Sequence, residues 1–165
     1  MFIKIVNDTL TSNGINVVNI NLNTTPTTQL VIIKKKLQGG IMLTASHNPK
    51  NWNALKFFNE KGEFLSHKDV NKILKIENSD IKFNTNRNDQ GKIEDFKGSY
   101  DLHINEILNL KYVNPDVIRK KRFKIVVDGI NSSGGIIIPK LLEALNVEVK
   151  KINCIPDGNF AHDPE

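Results

Sequence analysis

Helical and strand patterns alternate along this chain, and this alternation most constrains how the chain can fold. Apolar residues recur at helical spacing near the N-terminus, and short runs of valine, isoleucine and leucine follow between turn residues. Strands that alternate with helices are typical of sheets covered by helices, with neighbouring strands parallel. The pattern predicts an α/β fold built from parallel or mixed sheet units with flanking helices.

The individual elements follow from apolar spacing and from turn and cap residues. Helices are predicted at residues 2–10, 25–37, 66–76, 99–108, 115–122 and 136–145. Strands or extended segments are predicted at residues 17–22, 41–45, 53–59, 91–96, 123–128 and 147–154, with a polar surface loop at 78–91. Thr25 and Ser66 are expected to cap their helices, and Pro115 to open a short basic one.

A polar turn after the strand at 41–45 holds the candidate chemistry. It presents Ser46 beside His47, and Lys56 follows ten residues after the serine, in the extended segment that we expect to run back beside that strand. A hydroxyl at a strand end with an amine close by suits covalent chemistry at oxygen, and ligand sites of open α/β sheets gather at strand C-termini. The alternative is an ordinary surface turn, because serine, asparagine and proline are common turn formers.

Three further features have both a structural and a functional interpretation. Trp52 is expected to pack beside the serine turn, with a sugar-stacking surface as the alternative. The turn at 128–135 contains glycines but matches neither the Walker loop nor GxGxxG, so we predict close packing of strand and helix there rather than phosphate binding. The remaining histidines are expected to be structural or solvent-facing: His67, His103 and His162.

The stretch Thr44-Ala45-Ser46-His47-Asn48-Pro49, followed by Asn53 and Lys56, resembles the phosphoserine loop of the α-D-phosphohexomutases. The flanking segments match this family in the same order: residues 13–18, 24–27, 59–66 and 126–135. The resemblance therefore covers most of the chain. Residues 52–56 resemble most closely those of a bacterial phosphoglucosamine mutase branch of the family.

The resemblance implies a reaction in which Ser46 carries a phosphoryl group. The serine gives it to a hexose monophosphate, which becomes a bisphosphate. The bisphosphate reorients in the site, and its other phosphate returns to the serine. Glucosamine 6-phosphate to glucosamine 1-phosphate is the expected conversion; a phosphomannomutase or phosphoglucomutase, or a remnant without activity, is the alternative. His47 would contact the phosphate or orient the serine. Lys56 would act as general acid/base or as a phosphate anchor, since a free lysine is a poor base at neutral pH.

The resemblance also implies a magnesium ion bound to Ser46 through its phosphate. In the family three aspartates of an Asp-Gly-Asp-x-Asp-Arg loop complete that site, and no Asp-x-Asp occurs in this sequence. Residues 1–112 would then be a first domain that lacks its opening, and residues 113–165 the first half of a second domain, in an enzyme of four domains. A complementary polypeptide with the remaining domains is the expected partner, and the isolated chain is expected to be inactive.

Composition argues against other classes of protein. The longest apolar run is four residues, whereas a membrane span needs about 20, and no signal-peptide pattern is present. The net charge of +5 comes partly from basic clusters at 34–36 and 119–122. These fit solvated helix ends better than a nucleic-acid surface, because no aromatic residues are interleaved with them. With Cys154 as its single cysteine, the chain is expected to be cytoplasmic, with no nucleic-acid or membrane partner.

Overall fold

The computed structural model describes residues 2–48, 51–80 and 89–163. Helices and strands alternate through these residues, as predicted. The elements are α1 (Phe2–Ser12), β1 (Val17–Asn19), α2 (Thr25–Lys35), β2 (Gly40–Leu43), β3 (Leu55–Phe58), α3 (His67–Glu77), β4 (Ile93–Asp95), α4 (Ser99–Leu108), α5 (Pro115–Lys121), β5 (Lys124–Asp128), α6 (Gly134–Ala144) and β6 (Glu148–Ile152). Most of the loop predicted at 78–91 lies outside the described residues.

The strands pair two by two. β1 pairs with β4 and β5 with β6, both in parallel, whereas β2 and β3 are antiparallel, with Gly40 opposite Phe58 and Leu43 opposite Leu55. A parallel pair needs a long crossover, and the short segment between β2 and β3 permits the antiparallel arrangement instead. The prediction of an α/β fold with parallel or mixed sheet units is confirmed.

The chain divides into two compact units. The first comprises residues 1–21, 28–44 and 54–97, and the second comprises residues 22–27, 45–53 and 98–165. In the first unit, Val31 and Ile32 of α2 are almost fully buried, as is Phe58 of β3. The Ile32 side chain packs directly over Gly40 of β2, where an added Cβ would come within 2.6 Å of Ile32 Cδ1. This packing fixes the strand that leads toward the serine turn.

The core of the second unit lies between α4 and α6. Tyr100 and Ile104 of α4 pack with Ile137 of α6, and α6 crosses between the parallel strands β5 and β6. Buried polar groups join α4 to residues 22–27. Ser99 Oγ donates to Asn23 Oδ1 at 3.1 Å, and Thr27 Oγ1 lies 2.8 Å from Nδ1 of His103. Hydrogen-bonded pairs of this kind offset the cost of burying polar atoms.

Helix starts follow the sequence closely, with two corrections. The first is α6, which begins at Gly134, two residues before the predicted start. The Ser66 side chain caps α3 by accepting the N–H of Asp69, and Asn114 caps α5, with Pro115 in its first turn. At α2 the capping side chain is Thr24 rather than Thr25, since Thr24 Oγ1 accepts the N–H of Thr27 at 3.3 Å. The predicted cap was therefore one residue late.

Three strands end two or more residues earlier than predicted because the chain turns where the pattern still looks extended. β1 stops at Asn19, since Asn21 takes φ 56° and its N–H donates to Asn19 Oδ1. β6 stops at Ile152, because Asn153 takes φ 48°. β2 stops at Leu43, two residues before the predicted end. No helix in the described part of the chain is long and apolar enough to cross a membrane.

Candidate functional site

The serine turn follows β2 directly. The Asn48 N–H and the Asn48 side-chain Nδ2 both donate to the Ala45 carbonyl oxygen, at 3.0 and 2.9 Å. These two hydrogen bonds close a tight β-turn with Ser46 and His47 at its two central positions. Both central side chains are exposed to solvent. The turn therefore presents the serine hydroxyl on the surface of the second unit.

Ser46 has a φ of 56°, in the left-handed region. This conformation costs an L-residue about 1–2 kcal/mol, whereas glycine adopts it without penalty. Strained backbone of this kind is concentrated at functional sites. Seven other non-glycine residues of the described chain share this backbone region, among them Lys36 and Arg122, so the conformation alone assigns no role to the hydroxyl. Sequence reasoning missed this conformation, because serine at a turn is equally compatible with negative φ.

Ser46 and His47 are brought together in the turn. Ser46 Oγ lies 3.5 Å from His47 Nδ1, and both side chains are exposed. A contact of this length is weak, since strong hydrogen bonds involving hydroxyl groups are shorter than about 3.0 Å. The imidazole therefore lies next to the position of any group attached to the serine oxygen.

Lys56 lies on β3 in the first unit, directly opposite Met42 of β2. The Lys56 side chain is half-buried, with Nζ 5.9 Å from the centroid of the Phe64 ring. This distance is at the outer limit of a cation–π interaction. The antiparallel pairing of the extended segment with the serine-bearing strand is confirmed. The approach of Lys56 to Ser46 remains a prediction.

Trp52, in the same unit as Ser46, does not pack as expected. Its side chain is 59% exposed, so the interpretation of Trp52 as a packing residue was wrong. A large exposed aromatic ring can stack on the apolar face of a ligand.

A metal site is not complete in this part of the chain. Among residues 2–48, 51–80 and 89–163, no group of three or more His, Cys, Asp or Glu side chains could hold a metal ion. A phosphorylated Ser46 would supply one oxygen ligand, whereas magnesium takes six. The described residues alone do not fit the ion.

Comparison with known families matches nearly the whole chain. Residues 1–83 match the model described as phosphoglucomutase/phosphomannomutase, alpha/beta/alpha domain I. Residues 101–165 match the model of alpha/beta/alpha domain II of the same proteins. The two matches occur in the order expected from the resemblance.

Curated relatives carry related names. A probable phosphoglucosamine mutase from Methanopyrus kandleri is 32% identical over 157 residues, which cover 94% of this chain and 33% of the relative. A phosphomannomutase/phosphoglucomutase from Pseudomonas putida is also 32% identical over 157 residues and is covered to 31%. A phosphoglucosamine mutase from Caldicellulosiruptor saccharolyticus is 33% identical over 159 residues. The chain spans about a third of the length of these relatives.

Solved structures support the fold independently. A phosphoglucomutase/phosphomannomutase family protein from Burkholderia thailandensis superposes with a TM-score of 0.71 at 22% identity, over 97% of this chain and 34% of that protein. Identity at this level supports the fold, and the family assignment comes from the domain models, the first of which alone matches half of the chain. This chain belongs to the phosphoglucomutase/phosphomannomutase family, the α-D-phosphohexomutases.

Proposed function

We propose that this chain carries the phosphoserine-bearing part of a hexose-phosphate mutase, with Ser46 as the phosphoryl carrier. The observation that carries the proposal is the exposed Ser46 hydroxyl in a turn with φ 56°. Strained backbone is concentrated at functional sites, so this conformation is consistent with a chemical role for the serine. Family membership supplies the reaction type.

The reaction consists of two phosphoryl transfers through the same serine. First, a free hydroxyl oxygen of a hexose monophosphate forms a bond to phosphorus of phosphorylated Ser46, and the bond from phosphorus to Ser46 Oγ breaks. The hexose is then a bisphosphate. In the second transfer Ser46 Oγ attacks the other phosphorus, so the phosphate that remains on the sugar is at the other position. Catalysis of such transfers rests on positioning and on stabilising charge.

Each transfer needs one proton to leave the attacking hydroxyl and one to reach the leaving oxygen. Lys56 is the proposed acid/base, and His47 the proposed donor to the phosphate on Ser46. The phosphate adds a charge of about −1.5 to −2 at neutral pH, which both side chains can stabilise when they are protonated. The alternative for Lys56 is that it only anchors the phosphate.

Two substitutions separate these roles of Lys56. Arginine keeps the positive charge of lysine but cannot give up a proton. Glutamine has neither the positive charge nor a proton that it can transfer. An acid/base role predicts that Lys56→Arg lowers kcat as much as Lys56→Gln does. An anchoring role predicts that Lys56→Arg retains most of kcat. The measurement is steady-state mutase kinetics of a chimaera in which this chain replaces the matching third of a full-length relative.

Magnesium is the proposed cofactor, with the Ser46 phosphate as one of its ligands. When bound, the ion would supply charge neutralisation during phosphoryl transfer. Its other ligands must come from residues outside the described set, in the remainder of the enzyme or in a complementary polypeptide. The cytoplasm, where sugar phosphates are metabolised, is the proposed compartment.

Glucosamine 6-phosphate, converted to glucosamine 1-phosphate, is the proposed substrate. The names of the Methanopyrus kandleri and Caldicellulosiruptor saccharolyticus relatives support it. A mannose or glucose phosphate is the second candidate, because the Pseudomonas putida phosphomannomutase/phosphoglucomutase is as identical to this chain, at 32%, as the Methanopyrus kandleri relative is.

The test is a chimaera in which this chain replaces the matching third of the Methanopyrus kandleri relative. After incubation with a hexose 1,6-bisphosphate, intact-mass and peptide analysis should find one added phosphoryl group, on Ser46. The chimaera should then interconvert glucosamine 6-phosphate and glucosamine 1-phosphate. Ser46→Ala should lose both properties, whereas Ser12→Ala, which changes a serine at the end of α1, should keep both.

Two results would contradict the proposal. Phosphoryl transfer to a residue other than Ser46, or full turnover by Ser46→Ala, would exclude the serine as carrier. A folded chimaera that accepts no phosphate from any hexose bisphosphate would favour a remnant without activity. Comparison of glucosamine, mannose and glucose phosphates as substrates decides between the two substrate classes.

A further inference from the structure

The segment from Asn153 to Asp163 is fastened to the turn that follows β5, within the second unit. The Asn131 N–H donates to the Asn153 carbonyl at 2.6 Å, and the Gly158 N–H donates to the Asn131 carbonyl at 3.0 Å. The Asn131 side-chain amide donates to the Asn159 carbonyl at 2.9 Å. Asn131 therefore contacts this segment, here called the strap, at three points.

The Asp128 carboxylate joins the strap and the turn at a second place. Its Oδ1 accepts the backbone N–H of Ile130 at 2.9 Å and the side-chain Nδ2 of Asn153 at 3.2 Å. Its Oδ2 accepts from Nε2 of His162 at 3.0 Å. One carboxylate at the end of β5 thus holds a turn residue and both ends of the strap.

The hydrogen bonds of His162 require a positively charged ring. Nε2 faces the Asp128 carboxylate, and Nδ1 lies 2.8 Å from the Asp163 carbonyl oxygen. Both partners are acceptors, so both ring nitrogens must carry a proton, and only imidazolium does. A neutral ring keeps one N–H and must give up one of the two bonds. The charged groups that face the ring are the carboxylates of Asp128 and Asp163.

The turn that the strap holds is strained. Ile130 and Asn131 have φ of 46° and 52°. Asparagine tolerates this region, whereas a β-branched residue there is a clear outlier. Such a conformation persists only where surrounding contacts impose it. The hydrogen bond from Ile130 to Asp128 and the bonds from Asn131 to the strap are those contacts.

We propose that His162, with Asp128, is a pH-sensitive latch that fastens the strap over the strained β5–α6 turn while the imidazole is protonated. Loss of the proton removes one of the two ring hydrogen bonds and the ion pair with Asp128. The strap then loosens, and the turn at Ile130 and Asn131 loses part of its support. The latch does not depend on the chemistry proposed for Ser46.

Electrostatics support the same direction. The pKa of His162 is raised above 6.5, first by its hydrogen bond to the Asp163 carbonyl and then by Asp128. The pKa of Asp128 is lowered below 3.8, first by the Ile130 N–H and then by His162. Protonated His162 stabilises the folded state fully below pH 6.5, and this effect is lost as pH rises through the folded pKa of His162. Ionised Asp128 stabilises the folded state fully above pH 3.8, and this effect is lost as pH falls through the folded pKa of Asp128. The latch is therefore closed between pH 3.8 and pH 6.5 and opens at alkaline pH.

NMR titration of the labelled 165-residue chain tests the latch. The ring signals of His162 should titrate with a pKa above 6.5. The amide signals of Ile130 and Gly158 should shift with the same midpoint, because they report the turn and the strap. Asp128→Asn should lower the pKa of His162, since the amide can still accept from Ile130 but carries no charge.

The matched control is Asp157→Asn. Asp157 lies within the strap, and its carboxylate accepts the N–H of Asn159, so its replacement should leave the midpoint of His162 in place. A His162 midpoint at or below pH 6.5 in the unmodified chain would overturn the proposal. A strap that is not held against the turn would give the same midpoint, so that result also counts against the latch. Two further results would overturn the proposal: a His162 midpoint that is unchanged in Asp128→Asn, or a Gly158 amide signal that does not shift as His162 titrates.

Discussion

The backbone at Ser46 has a conformation that favours glycine over any residue with a side chain. At φ 56° the serine Cβ approaches the neighbouring carbonyl oxygen, a clash that glycine lacks. Alanine at this position keeps the clash and loses the hydroxyl, so comparison of alanine with glycine isolates the strain. The hydroxyl is then a feature that the fold retains at a cost in stability.

Ser46→Gly should therefore be more stable than Ser46→Ala by about 1 kcal/mol, after allowance for the greater freedom of glycine in the unfolded chain. Urea unfolding of the two variants measures the difference. At Thr9, an exposed residue inside helix α1, the order should reverse, with glycine about 0.5–1 kcal/mol less stable than alanine. Equal stabilities of the Ser46 pair would show that this backbone is not strained.

At the scale of elements, α3 depends on its ends more than on its packing. None of the residues His67–Glu77 is buried, and its apolar side chains are well exposed, among them Leu74 at 47% and Ile76 at 56%. A helix of this length is marginal when it lacks tertiary support. The Ser66 hydroxyl accepts the Asp69 N–H and donates to the Asp69 carboxylate at 2.6 Å, so it stabilises the first turn in two ways.

Ser66→Ala should lower the helix content of α3 and destabilise that helix by about 1 kcal/mol. Hydrogen exchange of the α3 amides measures the local effect, since opening of an exposed helix need not unfold the rest of the chain. Ser66→Thr keeps the hydroxyl and should retain most of the protection. Loss of protection in the threonine variant as large as in the alanine variant would argue against a capping role.

The turn between β3 and α3 depends on a glycine. Gly62 has a φ of 72°, and an added Cβ would lie 2.7 Å from the Gln29 carbonyl oxygen. Gly158 has a similar φ of 75°, with nothing within 4 Å. Gly158→Ala should cost about 1 kcal/mol from strain alone, and Gly62→Ala clearly more, because the Gln29 backbone must also move. Equal losses in urea unfolding would show that crowding at Gly62 is relieved without cost.

Signals that act within a few residues could be predicted from the sequence, and those that act across the chain could not. Ser66 marked a helix start because a capping side chain bonds to an amide three residues away, and Pro115 marked another because proline suits the first helical position. The ends of β1 and β6 were missed because asparagine adopts a left-handed conformation without any mark in the apolar pattern. At the site, Ser46 and His47 were identified together, whereas the strained φ of Ser46 depends on how the turn closes onto Ala45.

At the scale of the whole molecule, two histidines of the second unit respond to pH with opposite signs. Burial beneath the α2 start lowers the pKa of His103 below 6.5, where its Nδ1 contacts the fully buried Thr27 hydroxyl. His162 has its pKa raised by the Asp163 carbonyl and Asp128. His103 therefore stabilises the folded state above 6.5 relative to lower pH, whereas His162 stabilises it below 6.5. The two contributions to the slope of stability against pH therefore have opposite signs, that of His103 mainly below pH 6.5 and that of His162 mainly above it.

Replacing one histidine at a time should expose the slope set by the other. In His103→Gln the amide can still bond to Thr27, and the second unit should lose the rise in stability toward pH 6.5 while it keeps the fall above pH 6.5. In His162→Gln it should lose the fall above pH 6.5 while it keeps the lower stability below pH 6.5. Urea unfolding between about pH 5 and pH 8, followed through amide signals of α4 and α6, measures both slopes. Parallel curves for the two variants would mean that neither imidazole changes its proton binding on folding, because linkage requires a slope wherever the pKa differs between the folded and unfolded states.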